Sequence, residues 1–499
     1  MPGLSGWAQG GDLDMAKPSV TLVGLLDEAA GPKRRCQGLT DDEVTGVLGR
    51  WAACEAWALS GKLATITELV RRRGLPGTAA HCGVPSAWDD TLTEEIALAL
   101  GMSRPATMKL IDLAVALATR LDATAAALAA GEVDYLKAKI IAEATSVLDD
   151  EAAGNAEKLA LMWAGGSFKG KTPGEIGKLI DRAAVAADPE AAENRRKAAE
   201  KTARVETWRE TPGTMALAAT GLNPQVAMEA EQAIQDTATA YKKAGITGDM
   251  DNLRARAMTD KILGTDPLGG EQAGRGFRAD VHLTLPVMFL PLLTLLGLAD
   301  NPGEADGWGA LDPALVRDLG TRAAAAGEAS RWHLTLVDEN GWAVGHGCAA
   351  TKRGAKRDET GNSGAMRDSW EDTNWTLNLP GGDARTFTLN PIPVWDCDHR
   401  YETSKHDPSP LLRHLTEVRD GSCVQVGCHR PAARCDFEHA IPFEQGGKTC
   451  GCNGGPKCRR DHQIKQARNW QAIQIAPGFH QWITPSGRSY TRQPRQYPV

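Results

Sequence analysis

Glu438 and His439 are adjacent side chains that can do different chemistry. A carboxylate is a hard oxygen ligand suited to Mg²⁺ or Mn²⁺, and a neutral imidazole can take a proton from water near neutral pH. His462 lies in a segment that we expect to be helical, Arg459–Ala467, and offers a second ligand facing Glu438. Asn453 lies in the loop between them, where its amide can bridge backbone groups and hold strand and helix at a fixed separation.

The cysteines are concentrated in the same stretch of the chain. Six of the eleven fall between residues 423 and 458: Cys423, Cys428, Cys435, Cys450, Cys452 and Cys458. In a reducing compartment, such a cluster indicates a metal site rather than a set of disulfides.

Positive charge is concentrated there as well. The net charge of the chain is −7, yet the segment from Leu411 to the end contains thirteen Lys or Arg and only six Asp or Glu. A basic end on an acidic body is typical of a module that contacts phosphates, so we expect DNA as a partner. Arg459, Arg460 and Lys465 are candidate phosphate contacts, although a solvated basic face explains them almost as well.

The stretch from Cys423 to Lys465 resembles the HNH, or ββα-metal, endonuclease motif. Glu438-His439 matches its first element, Asn453 its second and His462 its third. Upstream, the chain resembles the largely helical domain of unknown function 222, a recurrent partner of that motif. The phrases that resemble this pairing of the helical domain with the motif are Leu295–Asp300, Leu415–Cys423 and Arg430–Asp436.

The resemblance implies a role for each matched residue. His439 would be the general base that activates water, and Glu438 and His462 would hold one Mg²⁺ or Mn²⁺. Asn453 would orient the loop and His439. The implied activity is hydrolysis of DNA phosphodiester bonds to a 5′-phosphate and a free 3′-hydroxyl. The alternative is a zinc-stabilised nucleic-acid-binding protein that has lost cutting activity.

The sequence departs from the resembled pattern at two positions. The metal-binding residue before the histidine is more often Asp, and here it is Glu438. Related modules also hold a structural Zn²⁺ through two pairs of ligands, here Cys423 and Cys428, then Cys458 and a position that is usually Cys or His. That position is Asp461, an uncommon ligand at structural zinc sites. Cys450, Cys452 or His429 are alternative fourth ligands.

The elements that must position these residues follow a helical body. A chain of 499 residues predicts two to four domains. Residues 1–40 are expected to be a flexible lead-in and residues 41–270 a helical domain. Two apolar stripes at helical spacing carry that prediction, one of Leu110, Leu113, Ala114, Leu117 and Leu121, the other of Val133, Leu136, Ile140, Ile141, Ala144, Val147 and Leu148. Gly131 separates the stripes like a C-terminal cap, and Glu190–Arg209 is expected to be a long solvated helix.

Strand-like alternation begins after the helical body. Val281–Leu285, Trp332–Val337, Trp375–Leu379 and Thr386–Leu389 alternate and are rich in β-branched and aromatic residues. We therefore expect a mixed α/β continuation over 271–404, with a mobile loop at 351–372, and the HNH module over 405–499. The predicted fold class is a mainly α N-terminal body with a mixed α/β segment, followed by a small zinc-stabilised ββα-metal module.

The sequence gives no sign of export or of a membrane. Residues Met1–Ala30 lack a basic start followed by an apolar run. The longest apolar stretch, Leu285–Leu298, contains two prolines and is far shorter than the roughly 20 residues that span a bilayer. We expect a cytoplasmic protein that has no membrane partner.

Overall fold

The computed structural model describes residues 6–210, 213–265, 280–286, 295–296, 298, 303–305, 309–326, 330–349, 374–378 and 384–497. The chain divides into two units, Met1–Lys201 and Thr202–Val499. In the described parts of both units, no helix is long and apolar enough to cross a membrane.

From residue 41 onward the first unit is helical, as the sequence predicted, whereas the lead-in expected to be flexible over residues 1–40 contains a helix, Val20–Ala30, and the fully buried Trp7. Its helices are α1 Val20–Ala30, α2 Asp41–Arg72, α3 Leu92–Leu100, α4 Arg104–Thr119, α5 Asp122–Ala129, α6 Tyr135–Ala144, α7 Asp150–Trp163, α8 Pro173–Ala187 and α9 Pro189–Lys201. A short hairpin, β1 Ala80–His81 and β2 Val84–Pro85, follows α2. Capping boxes at Thr40 with Glu43 and at Thr172 with Glu175 start α2 and α8, because each pair satisfies backbone N–H groups that the first turn leaves unpaired.

The predicted apolar stripes form the core of this unit only in part. Every member of the first stripe, from Leu110 to Leu121, is buried. In the second stripe, Leu136 and Val147 are exposed, whereas Ile141 is fully buried. Gly131 follows α5 with φ of 75°, and a side chain there would collide with Ala53 of α2. Glycine is therefore required both by the backbone conformation and by the close approach of the two helices.

The expected long helix Glu190–Arg209 is wrong at its C-terminal end. Helix α9 ends at Lys201, and Arg204–Arg209 forms β3, which pairs with β4 (Met215–Thr220). The segment contains Val205, Thr207 and Trp208, which favour extended backbone. Helices α10 (Pro224–Lys243) and α11 (Met250–Leu263) then pack against each other through Ala238, Tyr241, Leu253 and Ala257.

The largest sheet among the described residues of the second unit has four strands and is called the central sheet below. Its strands are β5 Asp280–Pro286, β8 Arg331–Val337, β9 Ala343–Cys348 and β12 Asn390–Pro391, in the order β12-β9-β8-β5, with β5 parallel to β8. Smaller pairs are β6 Gly303–Ala305 with β7 Gly309–Leu311 and β10 Asn374–Asn378 with β11 Ala384–Thr388, and helix α12 spans Pro313–Ala325. Trp332, Leu334, Leu336, Phe387 and Leu389 form the core under the sheet. The expected mobile loop 351–372 lies outside the described residues.

The C-terminal part of the second unit packs against this sheet. Its elements are α13 Pro410–Asp420, β13 Asp436–His439, β14 Gly454–Lys457, α14 Arg459–Gln466, β15 Gln471–Ala476, β16 Phe479–Ile483 and β17 Ser489–Arg492. Leu415 and Val418 of α13 share a core with Ala343 of β9 and with Ile392. Residues on both sides of the limit expected at 404 therefore lie in one unit, because α13 and the sheet bury one another's apolar side chains. The division at residue 201 lies before the limit expected at 270.

Candidate metal centre and active site

Glu438 and His439 lie on a short hairpin that leads into a helix. Strand β13 pairs antiparallel with β14, so that Glu438 lies opposite Gly455 and His439 opposite Gly454. A Cβ atom on Gly454 would lie 2.4 Å from the Phe437 ring, and one on Gly455 would lie 2.9 Å from Asp420 Oδ2. Both positions therefore need glycine. The chain then enters α14, which carries His462.

Glu438 and His462 are brought together by this arrangement. His462 Nε2 lies 3.3 Å from Glu438 Oε2, so the two atoms could contact one ion. Lys465, one turn further along α14, donates to Glu438 Oε1 at 2.8 Å and also to the His439 carbonyl. Lys465 was expected to contact phosphate, yet in this structure its charge is directed to Glu438 and it is largely buried.

The two arginines of α14 differ in their surroundings. Arg459 is exposed and forms a surface ion pair with Asp436 at 3.0 Å. Arg460 is half-buried. Both were expected to contact phosphate, and the exposed Arg459 is placed where a large ligand can reach it.

His439 is surrounded by loop residues rather than by α14. Its side chain is buried, and its Nε2 lies 2.8 Å from Thr449 Oγ1. The Thr449 hydroxyl donates to the carbonyl of Lys405 at 2.7 Å and so accepts from His439 Nε2–H. This partner leaves Nδ1 as the basic nitrogen of the neutral ring. Burial, followed by the neighbouring His406, lowers the pKa of His439 below its usual value, so the ring is neutral at pH 7.

Asn453 makes the bridging contacts that its position in the sequence led us to expect. Its Oδ1 accepts from the Ile441 amide at 2.8 Å, and its Nδ2 donates to the carbonyls of Ile441 and Lys448 at 3.1 and 2.8 Å. A Cβ atom on Gly447 would lie 2.7 Å from Asn453 Nδ2. The Asn453 amide thus ties both Ile441 and Lys448 to the end of the loop that precedes β14.

Cys423, Cys428, Cys458 and Asp461 bring four potential ligand atoms within 4.8 Å of one another. Asp461 Oδ2 lies 3.1 Å from Cys423 Sγ and 3.0 Å from Cys458 Sγ. Cys458 directly precedes α14 and Asp461 lies in its first turn, so one helix end supplies half of the group. The set can hold a metal ion such as Zn²⁺.

The alternative fourth ligands lie elsewhere. His429 is exposed, and Cys450 and Cys452 belong to a different group that also contains Cys397 and His399. Cys435 packs beside Cys423 and Cys458 and its sulfur lies 3.5 Å from the carbonyl of Pro431, but Cys435 is not one of the four residues whose ligand atoms all lie within 4.8 Å of one another. Of the candidates considered, the geometry places Asp461 in the group.

Arg419 links the helix before the hairpin to the end of the loop that joins the two hairpin strands. Its side chain is completely buried, donates to the carbonyls of Gly451 and Gly454 at 2.7 and 3.0 Å, and forms a two-point ion pair with Asp420. Sequence reasoning did not single out Arg419 or Thr449. The feature of the sequence that could have indicated Arg419 is the Arg-Asp pair at the end of an amphipathic helix.

Two further groups of cysteine and histidine side chains were also missed. Within the residues that the structure describes, Cys397 with His399, Cys450 and Cys452, and His333 with His346, Cys348 and His414, each bring four potential ligand atoms within 4.8 Å. Each group combines residues that are far apart in the sequence, which explains why spacing gave no sign of it.

Comparison with known proteins matches part of the chain to a family. Residues 52–256 match the domain of unknown function 222 (DUF222), as the sequence led us to expect. The chain is 33% identical over 88 residues to the uncharacterized protein Rv3776 of Mycobacterium tuberculosis, a stretch that covers 17% of each protein. It is 34% identical over 88 residues to the uncharacterized protein Rv2100 of the same organism, covering 17% of this chain and 16% of that protein. The match thus spans about one sixth of either relative. No solved structure matches the chain.

Proposed function

We propose that the C-terminal hairpin and helix form the active site of an HNH endonuclease that hydrolyses DNA phosphodiester bonds. The 3.3 Å approach of His462 Nε2 to Glu438 Oε2 carries this proposal, because it pairs a strand carboxylate with a helix imidazole. These two atoms would hold one Mg²⁺ or Mn²⁺, which supplies Lewis-acid stabilisation of the negative charge on the scissile phosphate.

The surrounding residues support the remaining roles. His439 Nδ1 takes a proton from the attacking water, since Thr449 occupies Nε2 and burial keeps the ring neutral. The water oxygen forms the new bond to phosphorus, the bond to the 3′-oxygen breaks, and the leaving 3′-oxygen takes a proton from solvent. Asn453 acts as a positioning residue through the loop that also carries Thr449.

Cys423, Cys428, Cys458 and Asp461 would hold a structural Zn²⁺ at the base of α14. Three thiolates and one carboxylate would supply the four ligands, and Cys458 and Asp461 lie at the start of the helix that bears His462. The ion would thereby set where His462 faces Glu438. An inactive, zinc-stabilised DNA-binding protein is the second candidate, and the ion pair between Lys465 and Glu438 is the observation that favours it.

A nicking assay on supercoiled plasmid with Mg²⁺ or Mn²⁺ tests the proposal. His439→Ala should slow nicking by about 10²- to 10⁴-fold, the usual contribution of a general base, without weakening DNA binding. His429→Ala is the matched control, because His429 is exposed and outside the site. Equal nicking by wild type and His439→Ala would refute the catalytic assignment. DNA binding by both proteins with nicking by neither would favour the inactive alternative.

A further inference from the structure

Three cysteines and one histidine meet beside the loop that leads into β14. Cys397 Sγ lies 3.5 Å from Cys450 Sγ, and His399 Nδ1 lies 3.5 Å from Cys450 Sγ and 3.7 Å from Cys452 Sγ. Cys397 and His399 come from the segment after β12, whereas Cys450 and Cys452 come from the loop between β13 and β14. The group therefore joins two separate parts of the chain.

These separations match a tetrahedral ion. Two sulfurs bound to zinc at about 2.3 Å in tetrahedral geometry lie roughly 3.8 Å apart, and a sulfur and a nitrogen lie slightly closer. A disulfide could join only two of the four residues, whereas all four ligand atoms lie within 4.8 Å of one another. Three thiolates and one imidazole are a common donor set of structural zinc sites.

We propose that Cys397, His399, Cys450 and Cys452 bind a second structural Zn²⁺, distinct from that of Cys423. Cys450 and Cys452 lie between Thr449, which holds His439, and Asn453, which closes the loop. Zinc bound here fixes the end of the loop that leads into β14. The site supports the geometry of His439, but its existence does not depend on nuclease activity.

Metal analysis of purified full-length variants tests the site. Cys397→Ser and Cys452→Ser should each contain one zinc equivalent less than wild type. Cys82→Ser is the matched control, because Cys82 is an exposed free cysteine in the helical unit, and it should keep the wild-type content. Folded Cys397→Ser protein with an unchanged zinc content would overturn the proposal.

Alkylation of the wild-type protein covers the case in which a variant does not fold. Iodoacetamide should modify Cys82 in zinc-loaded protein but modify Cys397, Cys450 and Cys452 only after a chelator removes the metal. Equal modification of Cys397, Cys452 and Cys82 before chelation would overturn the proposal. His439→Ala should retain this zinc, so a negative nicking result and a negative metal result remain distinguishable.

A separate group on the central sheet carries an independent inference. His333 and Cys348 are directly paired between β8 and β9, and His346 Nε2 lies 3.0 Å from His414 Nε2 of α13. Cys348 Sγ lies 3.1 Å from His333 Nδ1 and 3.3 Å from His414 Nε2. Two strands and a helix thus direct four ligand atoms to one point.

The surroundings of His346 resemble those of a metal ligand. Its Nδ1 contacts Thr335 Oγ1 at 2.9 Å, and its side chain is almost completely buried. Metal-bound histidines commonly use the second ring nitrogen in such a hydrogen bond, which fixes the tautomer and the ring orientation. The geometry points to a transition-metal site, with Zn²⁺ as the ion, at which the ion fastens α13 to the sheet.

Removal of the other two sites isolates this one. Full-length protein that carries Cys423→Ser and Cys397→Ser should retain one zinc equivalent, and adding His414→Asn should remove it. His81→Asn is the control, since His81 is exposed in the helical unit. In wild type, Cys348 should react with iodoacetamide only after chelation. Retention of the last zinc in folded His414→Asn protein, or reaction of Cys348 before chelation, would overturn the assignment.

Discussion

The carboxylate of Glu438 lies between two basic side chains of the same helix. Lys465 contacts its Oε1 and His462 approaches its Oε2. An ammonium group this close competes with a divalent cation for the carboxylate's charge. Lys465 should therefore weaken metal binding by Glu438. The spacing of the motif residues did not reveal this effect.

Lys465→Met should change metal binding and nicking in opposite directions. Mn²⁺ binding should tighten by roughly fivefold or more, because about 1 kcal/mol of charge competition disappears even with water-like screening. Nicking should slow, because the ammonium group that holds the Glu438 carboxylate and the His439 carbonyl in place is lost. Calorimetric titration and the plasmid assay measure the two effects. Arg459→Met on the exposed side of the helix is the control, and unchanged Mn²⁺ affinity in Lys465→Met would contradict the expectation.

Asp461 is expected to be the fourth ligand of the zinc site that contains Cys423. Asp461→Cys should hold zinc at least as tightly as wild type, because it completes a four-cysteine set, and Asp461→Ala should hold it roughly tenfold or more weakly. Competition with a chromophoric chelator measures both affinities. Cys435→Ser should behave like wild type. The reverse pattern, with loss in Cys435→Ser and retention in Asp461→Ala, would make Cys435 the ligand.

At the scale of elements, Arg419 is the connection on which the hairpin depends. Arg419→Met should lower the free energy of unfolding of the second unit by about 3–5 kcal/mol, because it leaves the buried Asp420 carboxylate and two loop carbonyls without their donor. Urea unfolding of the full chain, followed by tryptophan fluorescence, measures the change. Arg413→Ala, on the same helix, should shift stability by less than about 0.5 kcal/mol. Equal effects of the two variants would contradict this role.

Local patterns predicted some elements well and misjudged another. The helix expected at 459–467 is observed at Arg459–Gln466, and the acidic-His pair lies on a strand, because these elements depend on neighbours in the sequence. Arg204–Arg209 was expected to be helical because its charges continue those of α9. Its backbone instead pairs with Met215–Thr220, and that partner lies beyond any local pattern.

At the scale of the whole molecule, the sequence could not reveal which ligands meet. Cys423, Cys428 and Cys458 were recognisable because family spacing groups them. Cys397 meets Cys450, and His346 meets His414, only because α13 and the segment after β12 fold back onto the sheet and the hairpin loop. Those meetings depend on long-range packing, which residue spacing does not encode.

Metal removal should distinguish the two units. The three groups of potential ligands found among the described residues lie in the second unit, Thr202–Val499. A strong zinc chelator should therefore remove or greatly lower the thermal transition of that unit, since structural zinc is worth about 10–16 kcal/mol in small peptides. The transition of the helical unit should stay within a few degrees. Differential scanning calorimetry checks this, and an equal shift of both transitions would contradict it.

The 3.5 Å approach of Cys397 to Cys450 has a consequence for protein from which metal has been removed. Two thiols this close need only a small movement to form a disulfide when an oxidant such as peroxide accepts two electrons. The bridge would consume two ligands, so zinc added later could not rebind until a reductant restored the thiols. Bound metal would thus act as a protecting group for these sulfurs, and chelated protein would need anaerobic handling to remain recoverable.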